Sequence, residues 1–227
     1  MLGKYHLAFN LVSVLPFYLY LYNLGYNILV LFVSLILFIL FSNFPDFDIS
    51  YKGALSRRVV RLVFMFPFYV VAKITNDSVA HRHITHSIKG IITFSIFILF
   101  LWRMIYYLLY HFIVGNYLLR SVDVVFSSFL VPVSIIMTYF LHVMGDAVTM
   151  NGVPLFKGKR VHGFIVTGKN DAYYVSLYVI TQLLVMIYFL KSYDVRALFV
   201  ISVIVLIVFI SLPILFAPKK GEYYFHI

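Results

Sequence analysis

With 227 residues, 63% hydrophobic, 11% charged and a mean hydropathy of +0.98, the chain excludes a water-soluble globule, which needs far more charge on its surface. The net charge of +10 does not imply a nucleic-acid partner, because the 18 Lys and Arg fall in short runs between apolar stretches and form no basic stripe with interleaved aromatics. Zero cysteines exclude a disulfide framework and a thiolate site, so any metal must be held by His, Asp or Glu, a donor set that favours zinc, manganese or iron.

In chain order, Lys4 and the apolar run after it resemble a signal peptide. However, no small-residue cleavage pattern follows and Pro16 interrupts the run, which is therefore read as a retained span over 7–22 with His6 at its mouth. A second span is expected over 26–43, followed by Pro45-Asp46-Phe47-Asp48. Two carboxylates two residues apart in a turn can face one cation, although the tetrapeptide alone reads more simply as a solvated interfacial turn. The run 59–74 is short, contains Pro67 and is bounded by Arg58, Arg61 and Lys73. Next comes His81-Arg82-His83-Ile84-Thr85-His86-Ser87, with three histidines in six residues. Ser87 can cap the helix that follows, and Arg82 can make a bidentate phosphate contact. Taken alone, the segment also suits a pH-responsive or headgroup-binding loop.

Spans are then expected over 88–110, 124–145, 173–190 and 197–217, with the tyrosines of 106–110 as an aromatic belt and Arg103 snorkelling beside Trp102. The fourth span ends on His142-Val143-Met144-Gly145-Asp146. Its i, i+4 spacing sets both side chains on one helical face, where the pair can share a metal or the carboxylate can orient the ring.

Together these segments predict an all-α, polytopic transmembrane helix bundle in one domain, 1–227, with about six spans plus one short re-entrant or interfacial helix at 59–74. If 59–74 spans, Lys and Arg divide eight against nine between the faces; if it dips in and returns, they divide fourteen against four. The second count is the expected asymmetry. It places both termini, the loops near 44–87 and 146–172 and every candidate ligand on the cytoplasmic face. His- and Asp-rich segments distant in sequence then coincide on one side, which favours a metal site over the separate plain readings.

The order Pro-Asp-x-Asp, then His-Arg-x-x-Thr-His-Ser, then His-x-x-x-Asp-x-x-Thr-x-x-Gly, with an early His, resembles the membrane-bound, metal-dependent hydrolase family of prokaryotes. That family includes the LexA-binding, inner membrane-associated hydrolase. The motifs read here as Pro45 to Asp48, His81 to Ser87, and His142, Asp146, Thr149 and Gly152, with His6 as the early histidine. His83 stands where the family has Gly, and Thr167-Gly168 leads to Asp171 where the family has Glu.

The resemblance, with a more distant similarity to zinc-dependent phospholipase C, implies one or two divalent metals, zinc first. His6, Asp46, His86, His142 and Asp146 are the expected ligands, and Asp48, His81 and Arg82 the catalytic groups. Thr85 and Thr149 are expected to orient ligands. Membrane lipid is the expected partner, and a phosphoester of a lipid or lipid-linked molecule the expected substrate. An ion, proton or small-solute transporter, or a membrane scaffold with a structural metal, is the alternative.

Overall fold

The computed structural model describes residues 1, 3–48, 55–77, 83–113, 120–156 and 159–218. Among them are eight α-helices: α1 (Gly3–Asn23), α2 (Ile28–Leu40), α3 (Leu55–Thr75), α4 (Ile88–Ile113), α5 (Arg120–Ser127), α6 (Leu130–Ala147), α7 (Asp171–Lys191) and α8 (Val195–Leu215). Two 3-10 turns, Phe44–Asp48 and Ile84–His86, precede α3 and α4, and a short hairpin of β1 (Val153–Phe156) and β2 (Lys159–Val161) precedes α7. The chain is an all-α membrane helix bundle, and it separates into two compact units: Met1–Asn23 with Leu141–Ile227, and Leu24–Phe140.

Among the described residues, five segments are long and apolar enough to cross a membrane: Ile28–Asp46, Ile88–Tyr110, Leu130–Ala147, Asp171–Lys191 and Val195–Leu215. The expected span 7–22 forms a helix, but α1 is not one of the five, because Lys4, His6, Asn10, Ser13 and Asn23 dilute its apolar sequence. The run 59–74 is helical as part of α3, and its apolar section Leu62–Thr75 is shorter than the five. The expected span 124–145 divides: α5 stops at Ser127, and the Ser128 hydroxyl accepts from Leu130 N–H at 3.2 Å to start α6. The hairpin is new. β1 pairs antiparallel with β2, in a segment that carries no helical period.

In the unit formed by both chain ends, α1, α7 and α8 pack on one another around Phe9, Val12, Val175 and Tyr178. Polar side chains tie the three helices. Ser13 Oγ lies 2.7 Å from Tyr178 Oη, and Gln182 Nε2 donates to Tyr178 Oη at 3.1 Å and to the Ser202 carbonyl at 3.0 Å. Helices in lipid gain no hydrophobic drive toward each other, so such bonds and close packing hold them together. Outward-facing Leu184, Ile187, Ile204 and Ile207 stay exposed, as suits a surface bathed in acyl chains.

In the Leu24–Phe140 unit, α3 and α5 each pack on α4, and α2 packs on α5. Trp102 stacks on Phe126 at 5.0 Å and donates to its carbonyl at 3.0 Å, while Tyr106 donates to Asp123 at 3.2 Å. The Arg103 guanidinium lies over the Phe129 ring at 4.1 Å. Phe44, Phe64, Phe94 and Tyr139 form an aromatic cluster, with Phe94 and Tyr139 stacked at 4.3 Å.

Candidate metal centre

In the Leu24–Phe140 unit, Asp46 is placed by its neighbour two residues back. α2 ends by turning the Phe41 N–H onto Leu37 O, and Phe44 then buries in the aromatic core, 4.9 Å from the Phe94 ring. The 3-10 turn that follows brings Asp46 Oδ1 to 3.6 Å from His86 Nε2. His86 is fully buried, and its other ring nitrogen, Nδ1, lies 3.0 Å from Thr85 Oγ1. The Tyr139 hydroxyl donates to the Thr85 carbonyl, and the ring is thereby fixed from behind with Nε2 toward the carboxylate. Such an outer bond on Nδ1 sets the orientation and tautomer of a ligand histidine.

Ser87 caps α4 as expected: its hydroxyl accepts from Gly90 N–H at 3.1 Å and donates to Ile84 O at 2.8 Å. Gly90 permits the close approach of turn and helix, since a Cβ there would stand 2.0 Å from Ile84 O. His83 precedes the turn, makes no capping bond through its side chain and is only partly buried.

In the unit formed by both chain ends, the last turn of α6 carries His142 and Asp146, both fully buried. His142 Nε2 lies 3.9 Å from Asp146 Oδ2. His6 comes from α1, stacks on His142 with ring centroids 3.9 Å apart and reaches Asp146 Oδ1 through Nε2 at 3.1 Å. The Met1 ammonium also donates to Oδ1, at 2.7 Å. Gly145 leaves room for this stack, because a Cβ there would meet His6 Nδ1 at 3.0 Å. Thr149 supports the main chain: its hydroxyl donates to Asp146 O at 2.7 Å and its N–H to the same oxygen at 3.1 Å.

Asp171 is buried at the start of α7 and accepts from Gly168 N–H at 3.1 Å, so it fastens the preceding turn. The Asp48 side chain lies outside the described residues, as do His81 and Arg82. Tyr139 and Gly90 are the residues that motif reading missed. Neither belongs to a metal-binding pattern, and each acts on His86 through backbone.

By donor type, Asp46 and His86 of one unit, and His142 and Asp146 of the other, are candidate metal ligands. Imidazole beside carboxylate, the donor chemistry of each unit, fits a borderline divalent cation such as zinc or manganese. Buried ionisable groups at the ends of membrane helices are costly and are retained where they serve a site.

A family model described as YdjM inner membrane protein matches residues 1–216. No curated protein and no solved structure matches the chain.

Proposed function

Because the chain belongs to the YdjM inner membrane protein family and carries two His–Asp pairs whose imidazoles are fully buried, we propose that it is a membrane-embedded, metal-dependent hydrolase that cleaves a phosphoester of a lipid or lipid-linked substrate. The observation that carries the reading is the paired donor chemistry: Asp46 with His86, and His142 with Asp146, each pair at the end of an apolar segment. The proposal takes all four side chains as metal ligands, with residues 1–227 acting as one domain. His6 orients Asp146 through its 3.1 Å bond and becomes a ligand itself if a second ion binds.

When bound, the divalent cation supplies a water activated toward nucleophilic attack at neutral pH. The chain's residues do the rest. Asp46, His86, His142 and Asp146 hold the cation. Thr85 fixes the His86 ring through Nδ1, and Thr149 fixes the backbone at Asp146. Arg82 neutralises charge developing on the phosphoryl oxygens, and Asp48 and His81 exchange protons with the attacking and leaving groups. The site faces the cytoplasm, on the fourteen-to-four distribution of Lys and Arg. The hydrolase resemblance in the motifs supports the same reaction class. A transporter reading draws on the Ser13–Tyr178–Gln182 string between α1, α7 and α8, which also suits plain helix adhesion.

The test is release of inorganic phosphate or of a phosphorylated headgroup from a panel of phospholipids in detergent micelles, with added zinc or manganese. Turnover is expected in the wild type and to disappear on chelation. Thr85→Val, which removes the hydroxyl beside Nδ1, should lower it by about 10- to 100-fold. Ion or solute flux in proteoliposomes without any turnover would favour the transporter.

A further inference from the structure

α3 and α4 lie side by side and leave an open groove of about 730 Å³ between them, with walls almost wholly apolar. Its floor is made by Pro67 and Val71 of α3 and by Thr93 and Phe97 of α4. The Thr75 and Thr93 hydroxyls are turned onto the carbonyls of Val71 and Lys89, so both threonines offer methyl groups to the groove. Along α4 the lining runs from Lys89 to Phe100, or about 16 Å of helix rise.

One end of this groove carries charge and the rest does not. Lys89 lies two residues after Ser87, in the first turn of a membrane-spanning segment, where lipid headgroups meet the hydrocarbon. One of its three ammonium hydrogens goes to Asp77 Oδ2 at 3.0 Å, which holds the side chain at the mouth, and two remain for another acceptor. The Lys89 side chain is about one-third exposed. The end with Lys89 adjoins the 3-10 turn Ile84–His86, which packs on both α3 and α4.

We propose that this groove binds one acyl chain of an anionic phospholipid, with the lipid phosphate at Lys89. The proposal deepens the lipid-phosphoester reading above and rests on it for the identity of the bound lipid as substrate. A phosphate at Lys89 stands three residues from His86, so the groove delivers the scissile headgroup to the His86 end of α4 while the chain stays in hydrocarbon. Apolar surface alone would accept any lipid tail; the lysine adds the preference for a phosphate.

The experiment is native mass spectrometry of the full chain in detergent, titrated with dioleoyl phosphatidic acid or with dioleoylglycerol, which lacks the phosphate. The wild type should retain one phosphatidic acid at concentrations about tenfold lower than the diacylglycerol requires. Lys89→Ala should abolish that preference, and Thr93→Trp, which fills the floor, should weaken retention of both lipids. Ile96→Trp at the rim provides a second obstruction should the first variant misfold, and Ile187→Trp on the exposed face of α7 should change nothing. Equal retention of the two lipids by wild type, a preference that survives Lys89→Ala, or retention that survives both obstructions overturns the proposal. A wild type that holds lipid at Lys89 yet turns nothing over leaves the groove standing and sinks the hydrolase alone.

Discussion

Replacing Asp146 with alanine is expected to eliminate metal binding and to lower stability by about 3–5 kcal/mol, the range for breaking a buried ion pair from one side. The carboxylate is fully buried and receives the Met1 ammonium at 2.7 Å and His6 Nε2 at 3.1 Å on a single oxygen. Without it the ammonium has lost its countercharge, His6 Nε2 has lost its acceptor, and the carboxylate 3.9 Å from His142 Nε2 is gone. Asparagine at the same position keeps the volume and one acceptor oxygen, so the stability loss should be smaller. The anionic ligand is still gone, and metal should be lost as completely as in the alanine variant. Thermal unfolding in detergent, read beside metal content, separates the two effects. Full metal occupancy in Asp146→Asn would remove Asp146 from the ligand set.

Gly90→Ala should be the most damaging single-methyl change in the Leu24–Phe140 unit. Alanine is the better helix former by about 1 kcal/mol, so an ordinary mid-helix glycine would gain from the change. Here the new Cβ would stand 2.0 Å from Ile84 O and 3.0 Å from Thr85 O, both backbone atoms that cannot swing aside. The turn Ile84–His86 must lift off α4, taking with it the Ser87 cap and the Tyr139 bond to Thr85. The net loss should be about 1–3 kcal/mol. The larger effect should be on the metal, whose affinity should fall by more than about tenfold once His86 loses its backing. A stability gain with unchanged metal affinity would show that the turn does not depend on this contact.

The parts of the fold legible in the sequence were those governed by short-range physics. Composition alone identified the membrane, and four of the apolar runs recur as spans with ends within a few residues of those expected. The run 124–145 was read as one span because Val124, Val125 and Phe126 continue the apolar pattern. The break depends on Ser128, whose hydroxyl accepts from Leu130 N–H, a bond that the apolar residues on either side of the Ser127-Ser128 pair conceal. α1 reads as a span by length, but its polar residues turn inward: His6 and Asn10 are fully buried. The spacing of His142 and Asp146 announced a shared helical face, and the Ser87 cap could be named from its position alone.

Other features required the chain to come back on itself. Nothing near Tyr139 marks it as the donor to a carbonyl 54 residues away. Nothing around Gly90 foretells a backbone oxygen against its α-carbon. The stack of His6 on His142 joins residues far apart in the sequence, and motif spacing says nothing of such ring geometry.

The central claim is that these buried His and Asp side chains hold a metal ion. The most direct test is metal content of the detergent-purified protein by elemental mass spectrometry, with the wild type measured beside His142→Ala and His86→Ala. Near-stoichiometric zinc or manganese in the wild type, lost in both variants while both still fold, is the predicted result. A wild type with no bound metal after repletion with zinc, manganese and iron would contradict it.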